Sequence, residues 1–185
     1  MSARRAARLL VAQIALLLAT TAFAAPSSRT CLVVGVADGD TLTARCGAPG
    51  AFEQVKVRLA AIDAPERRQA FGARSKQALS DLTFGREALL ECGNVDRYRR
   101  SVCSVLVVPA DGAQGRRAQP VDVGLAMVSR GMAWWYRAYS KDQAIDDQVR
   151  YALGERRARA AGAGLWVESN PVAPWDWRAA RRHRD

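Results

Sequence analysis

The stretch Val57-Arg58-Leu59-Ala60-Ala61-Ile62-Asp63-Ala64-Pro65-Glu66 opens as a strand and ends as a corner. The apolar alternation Val55, Val57, Leu59, Ala61 predicts a half-buried strand, with Arg58 on its other face. Pro65 removes a ladder donor and fixes φ, so the strand stops there and Asp63 and Glu66 cluster where the chain must turn. One cation and two carboxylates then stand at the end of a rigid element, a layout that suits a metal ion bound to phosphate. A purely structural reading stands beside it. An acid followed three residues later by Glu is also capping-box spacing, and Pro is common in the first helical turn. A second acidic turn upstream, Asp38-Gly39-Asp40, favours the chemical reading.

On either side of this corner the chain alternates strand patterns with turn signals. Residues 30–37 and 41–46 read as two strands joined by the Asp38-Gly39 hairpin, and 52–62 as a third strand running into the corner. A helix is expected over 69–84, where Ala78, Leu79 and Leu82 have helical spacing. Strands at 87–92 and 102–108 enclose the charged turn Asp96-Arg97-Tyr98-Arg99-Arg100, and 111–120 reads as a Gly-rich surface loop. Helices are expected at 121–130 and 142–161, either side of the aromatic run Trp134-Trp135-Tyr136-Arg137-Ala138-Tyr139. Five strands, with helices after the third and the fifth, define an α+β fold: a five-stranded OB-type β-barrel with three helices, an architecture whose outer face commonly binds nucleic acid.

The ends of the chain carry different signals. Arg4, Arg5 and Arg8 precede an apolar run over 9–19, and Ala22-Phe23-Ala24 supplies a small-x-small cleavage pattern, so 1–24 reads as a signal peptide and not a lasting membrane anchor. Its removal takes three arginines and lowers the formal charge from +10 to +7, leaving a basic domain over 25–168 that attracts polyanions. Residues 169–185 read as a basic tail containing Pro and Trp. The four cysteines lack zinc-site spacing. In an oxidising, secreted or periplasmic setting, Cys31 with Cys46 and Cys92 with Cys103 are expected to bridge two hairpins. The single histidine, His183, lies in the tail. That excludes catalysis by paired imidazoles, Ser-His-Asp hydrolysis and His-based zinc sites. The remaining oxygen donors select a hard cation, Ca²⁺ or Mg²⁺.

Four fragments, in this order, resemble the motifs of the staphylococcal nuclease (thermonuclease) family: Asp38-Gly39-Asp40-Thr41, Arg58 to Glu66, Asp96-Arg97-Tyr98-Arg99-Arg100, and Gly131-Met132-Ala133 before an aromatic cluster. The resemblance spans about residues 30–166. It implies an OB-type barrel that hydrolyses DNA and RNA with Ca²⁺ as cofactor, Mg²⁺ being the second candidate. It makes Asp40 and Asp63 carboxylate ligands of the metal, with the backbone carbonyl of Ala64 as a further ligand. Glu66 would accept a proton from the attacking water, Arg58 and Arg100 would grip the scissile phosphate, and Tyr98 and Tyr139 would flank the nucleotide. Ala64 stands where many members have Thr, and Arg99 where they usually have Gly, which leaves open whether Arg99 or Arg100 reaches the phosphate. Arg137 stands where the best-known member has a nucleotide-contacting Tyr, and Tyr136 is the adjacent substitute. Phosphodiester hydrolysis itself requires a metal, a base and cations facing the growing charge, and the chain offers one such set. The expectation is an exported, Ca²⁺-dependent, monomeric nuclease of low sequence specificity. The alternative is a noncatalytic OB-type module that binds nucleic acid in the envelope, which has no need of Asp40, Asp63 and Glu66 together.

Overall fold

The computed structural model describes residues 27–108 and 119–182; the expected signal peptide, His183 and most of the 111–120 loop lie outside them. Four strands form where strands are expected: β1 (Ser27–Val36), β2 (Thr41–Cys46), β3 (Glu53–Leu59) and, after a helix, β5 (Glu87–Val95). With β6 (Ser101–Val107) they form a sheet in the order β3-β2-β1-β5-β6, and a parallel β3–β6 pairing closes it into a five-stranded barrel. Closure of this kind removes the exposed edges of an open sheet. Inward-facing Val33, Leu42, Val57, Leu59, Leu90, Val105 and Val107 fill the interior.

The third strand is shorter than its sequence pattern. It stops at Leu59, turns through Ala60 and Ala61, with Ala61 left-handed at φ 64°, and resumes as β4 (Ile62–Asp63). The reason is competition for the backbone. Leu59 N donates to Asp40 O at 2.8 Å, Ala60 N to Cys103 O at 2.9 Å, and Tyr136 N to Ala61 O at 2.8 Å. Each partner pulls the chain away from a straight ladder, and β4 instead pairs with β8 (Trp134–Trp135). The corner is therefore clamped by three distant segments.

Helix α1 (Gly72–Thr83) follows the corner and packs Leu79 and Leu82 on the barrel. Between β6 and the next helix a two-residue strand, β7 (Val121–Asp122), extends the sheet. Asp122 then caps α2 (Val123–Ser129) by accepting from Leu125 N, and it also accepts the Tyr151 hydroxyl of α3 (Ile145–Ala160) at 2.9 Å. Burial and the Asp122 carboxylate push the Tyr151 phenol well above its usual range, so it stays a donor and ties α2 to α3. Cys31–Cys46 joins β1 to β2 and Cys92–Cys103 joins β5 to β6, each between directly paired residues, with Cα separations of 4.4 and 4.0 Å. Both bridges are those expected from the hairpin spacing. No helix among the described residues is long and apolar enough to cross a membrane.

Part of the segment that reads as a basic tail is helical. Residues Pro174–Arg182 form a fourth helix, α4, docked on the domain. Its first turn brings Trp175 against Trp134 and Tyr136, at ring separations of 5.6 and 5.2 Å, with Pro174 and the preceding Ala173 buried. Indole burial supplies the apolar area that holds so short a helix in place. Of the two tryptophans in this segment, Trp175 is the one packed into the aromatic cluster that anchors it.

Candidate functional site

The site forms where two turns meet outside the barrel. Asp38 accepts from Asp40 N at 3.1 Å in an Asx turn that fixes the first. Gly39 permits the close approach: a Cβ there would fall 1.9 Å from Ser75 Oγ and 2.7 Å from the Ala64 Cβ. Pressed against α1 and the corner, this turn delivers Asp40 to the second one, where Asp40 Oδ2 accepts from Ala64 N at 2.8 Å. Asp63 and Glu66 are not the caps of α1, which starts only at Gly72. Gln69 takes the local backbone bonds instead, its amide donating to Glu66 O and its side-chain oxygen accepting from Glu66 N.

Arg58 joins the two acids. Its Nε lies 3.2 Å from Asp40 Oδ1, its Nη2 donates to Asp63 Oδ1 at 3.1 Å, and its Nη1 donates to Leu59 O at 2.7 Å. Asp63 is 2% exposed and Asp40 7%. Burial pushes the Asp63 carboxyl upward, opposed by the hydrogen bond from Arg178 and the field of Arg58. Burial and the neighbouring Asp40 raise Asp38 to about 6. The pocket is therefore a desolvated concentration of negative charge against guanidinium groups.

Arg100 belongs to the same pocket by one intermediary. Its Nη1 donates to Thr41 Oγ1 at 3.1 Å, and that hydroxyl donates to Asp40 Oδ1 at 3.0 Å. Asp96 holds the other side of the guanidinium at 2.7 Å. Arg99 sits at the turn with φ 62°, a left-handed conformation that explains why glycine suits the position and that costs an L-residue roughly 1 kcal/mol or more. Of the two arginines left open by the sequence, Arg100 is the one linked to Asp40.

The three tyrosines differ in their surroundings. Tyr98 is 62% exposed, with the Arg97 and Arg100 guanidiniums 4.9 and 5.3 Å from its ring centre. Tyr139 is 58% exposed and meets Tyr136 edge to face at 5.3 Å. Tyr136 is half-buried and stacked on Trp175. Trp134 and Trp135 are buried. Arg137 is structural: it pairs with Glu155 at 2.7 Å, a buried carboxylate that also accepts Trp135 N.

Sequence reasoning missed one member of the cluster. Arg178, on α4, places Nη2 2.7 Å from Asp63 Oδ2 and Nη1 2.8 Å from Glu66 Oε1. Its separation of 115 residues from Asp63 leaves no local pattern to find it by. Thr41, whose motif suggests no role for it, provides the hydroxyl relay between Arg100 and Asp40.

Among the described residues no group of three or more His, Cys, Asp or Glu side chains could by itself hold a metal ion. Two buried carboxylates, Asp40 and Asp63, with the Ala64 carbonyl next in the chain, still fit a hard cation, which accepts backbone carbonyl, water and phosphate oxygens to complete its shell.

Comparison with known proteins gives the same frame. The family model described as Staphylococcal nuclease homologue matches residues 56–168. An uncharacterized endonuclease of Haemophilus influenzae is 37% identical over 171 residues, covering 92% of this chain and 85% of its own length. A micrococcal nuclease of Shigella flexneri is 40% identical over 151 residues, covering 82% and 81% respectively. A protein of Escherichia coli named ParB is 40% identical over 152 residues, covering 82% and 80%. With its closed barrel, its motifs and these relatives in agreement, the chain belongs to the staphylococcal nuclease family.

Proposed function

We propose that this chain is an exported, Ca²⁺-dependent nuclease that hydrolyses phosphodiester bonds of DNA and RNA with little sequence specificity. The observation that carries the proposal is the simultaneous contact of Arg58 with Asp40 and Asp63, which gathers metal-type ligands and a phosphate-type cation at one point. Asp40, Asp63 and the Ala64 carbonyl would hold the cation. When bound, Ca²⁺ supplies positive charge that polarises the phosphoryl oxygens.

The chain's own groups divide the remaining work. Glu66, half exposed beside Asp63, takes the proton of the attacking water. Arg58 and Arg100 face the charge that grows on the phosphoryl oxygens, and the guanidinium fork suits phosphate geometry. Tyr98 and Tyr139 present exposed rings to the nucleotide, and Tyr136 lends one edge. Contacts of this kind reach phosphate, sugar and ring faces and read little sequence. Export is supported by the two disulfides, which persist in oxidising compartments, and by the signal-type leader. We place the mature chain, a monomer, in the periplasm or outside the cell.

The test is digestion of DNA and of RNA by the purified mature chain with Ca²⁺ and with a chelator. Cleavage of both polymers is expected with Ca²⁺ and loss of at least about 10²-fold in rate with chelator. Equal rates in both conditions remove the metal requirement. Binding without cleavage, by a folded chain, establishes the noncatalytic module instead.

A further inference from the structure

We propose that Arg178 is an affinity-determining residue of the metal site: a built-in cation that occupies Asp63 and Glu66 and yields them to the divalent ion. The inference rests on the metal reading given above.

Asp63 is almost wholly buried, so its charge requires compensation. Arg58 reaches only its Oδ1. Arg178 covers the other oxygen, with Nη2 at 2.7 Å from Oδ2 and Nη1 at 3.3 Å from Oδ1, and the same Nη1 binds Glu66 Oε1 at 2.8 Å. One guanidinium thus bridges a proposed metal ligand and the proposed base. A Ca²⁺ ion needs the carboxylate at about 2.3–2.6 Å, which sets it within about 5 Å of the Arg178 nitrogens if both use Oδ2. Two cations that close repel, so each weakens the other's hold on the acid.

The position of Arg178 is set by packing and not by the ion pair. Trp175 lies between Trp134 and Tyr136, Ala173 and Pro174 are buried, and Gln69 donates to Val172 O at the approach to the helix. The Arg178 side chain is 40% exposed, so it has room to swing toward solvent or toward a bound phosphate while the first turn of α4 stays docked. A long, flexible side chain on an anchored helix is the arrangement expected of a displaceable counter-ion. A residue needed only to fasten the tail would have its value in the tail's docking, which the tryptophans already provide.

The test is calorimetric titration of the mature chain with Ca²⁺, for wild type, Arg178→Gln and Arg178→Lys, with limited proteolysis reporting whether α4 stays docked. Arg178→Gln removes the charge and, with its shorter side chain, withdraws from Asp63 and Glu66, so its Kd is expected to be about tenfold lower than that of wild type, with Arg178→Lys, which keeps a cation near the acids, closer to wild type. An unchanged or weaker affinity in Arg178→Gln, with wild type binding normally, overturns the inference and leaves the proposed function standing. Failure of every chain to bind Ca²⁺ overturns the metal reading and the inference together. Binding only by Arg178→Gln supports both. Should that variant misfold, wild type decides: proton exchange of the Arg178 guanidinium, followed by nitrogen-15 NMR, is expected to speed by about tenfold on Ca²⁺ saturation as its partners are lost. No change in exchange overturns the inference.

Discussion

Arg58→Ala is expected to lower phosphodiester turnover by about 10²- to 10³-fold, the scale of losing one preorganised group that faces transition-state charge. The residue holds Asp40 and Asp63 together, at 3.2 and 3.1 Å, and in the proposed reaction the same guanidinium would face the phosphoryl oxygens. Removing one partner of a buried ion pair costs about 3–5 kcal/mol in general. Here the loss should be smaller, because Arg178 remains on Asp63 and water can enter the space left behind. The variant should therefore fold, with a lower urea midpoint, and bind calcium no more weakly than wild type, since a competing cation has gone. Arg58→Lys should recover little turnover, because an ammonium cannot reproduce contacts to Asp40, Asp63 and Leu59 O from one planar fork. Single-turnover cleavage with urea unfolding separates the two effects. Wild-type turnover in folded Arg58→Ala would remove this residue from the reaction.

Glu66→Gln tests the other half of the chemistry and should cost about 10²- to 10⁴-fold in kcat, the range for a general base. The substitution is conservative in structure. Glu66 is partly exposed, its backbone is held by Gln69, and a Gln side-chain oxygen can still accept from Arg178. Stability should move by less than about 1 kcal/mol, as for other surface substitutions. The expected signature is a fall in kcat with KM nearly unchanged, because the group acts on the water and not on substrate binding. An equal loss of stability and activity would indicate a structural role.

Much of this site could be read from the chain because its members belong to short segments with their own local rules. The Asp38-Gly39 turn, the strand alternation ending at Pro65 and the charged turn at Asp96 each announce themselves within a few residues. Their order joined them into one pattern. The pairing of the cysteines was legible for the same reason, since each pair spans one hairpin. What escaped was set at long range. The break at Ala60–Ala61 depends on backbone partners at Asp40, Cys103 and Tyr136, none of which a strand pattern encodes. The docking of α4 depends on an aromatic cleft made by Trp134, Tyr136 and Trp166, a partner far away in the chain that the Pro and Trp of the basic tail do not reveal by themselves. Arg178 follows from that docking alone. Arg137, at a position linked by resemblance to nucleotide contact, is committed to Glu155, a buried carboxylate that requires a cation.

The central claim is that Asp40 and Asp63 act together on one divalent cation at the corner after β3. Its most direct test is the rate of single-stranded DNA cleavage as a function of Ca²⁺ concentration for wild type and Asp40→Asn, with circular dichroism confirming that both are folded. The variant keeps the size of the side chain and one oxygen to accept from Ala64 N, and loses the charge and the second acceptor oxygen that faces Arg58 and Thr41. The half-saturating Ca²⁺ concentration should rise by at least about tenfold in Asp40→Asn, in line with loss of a charged oxygen ligand. Superimposable curves for the two proteins would contradict the account.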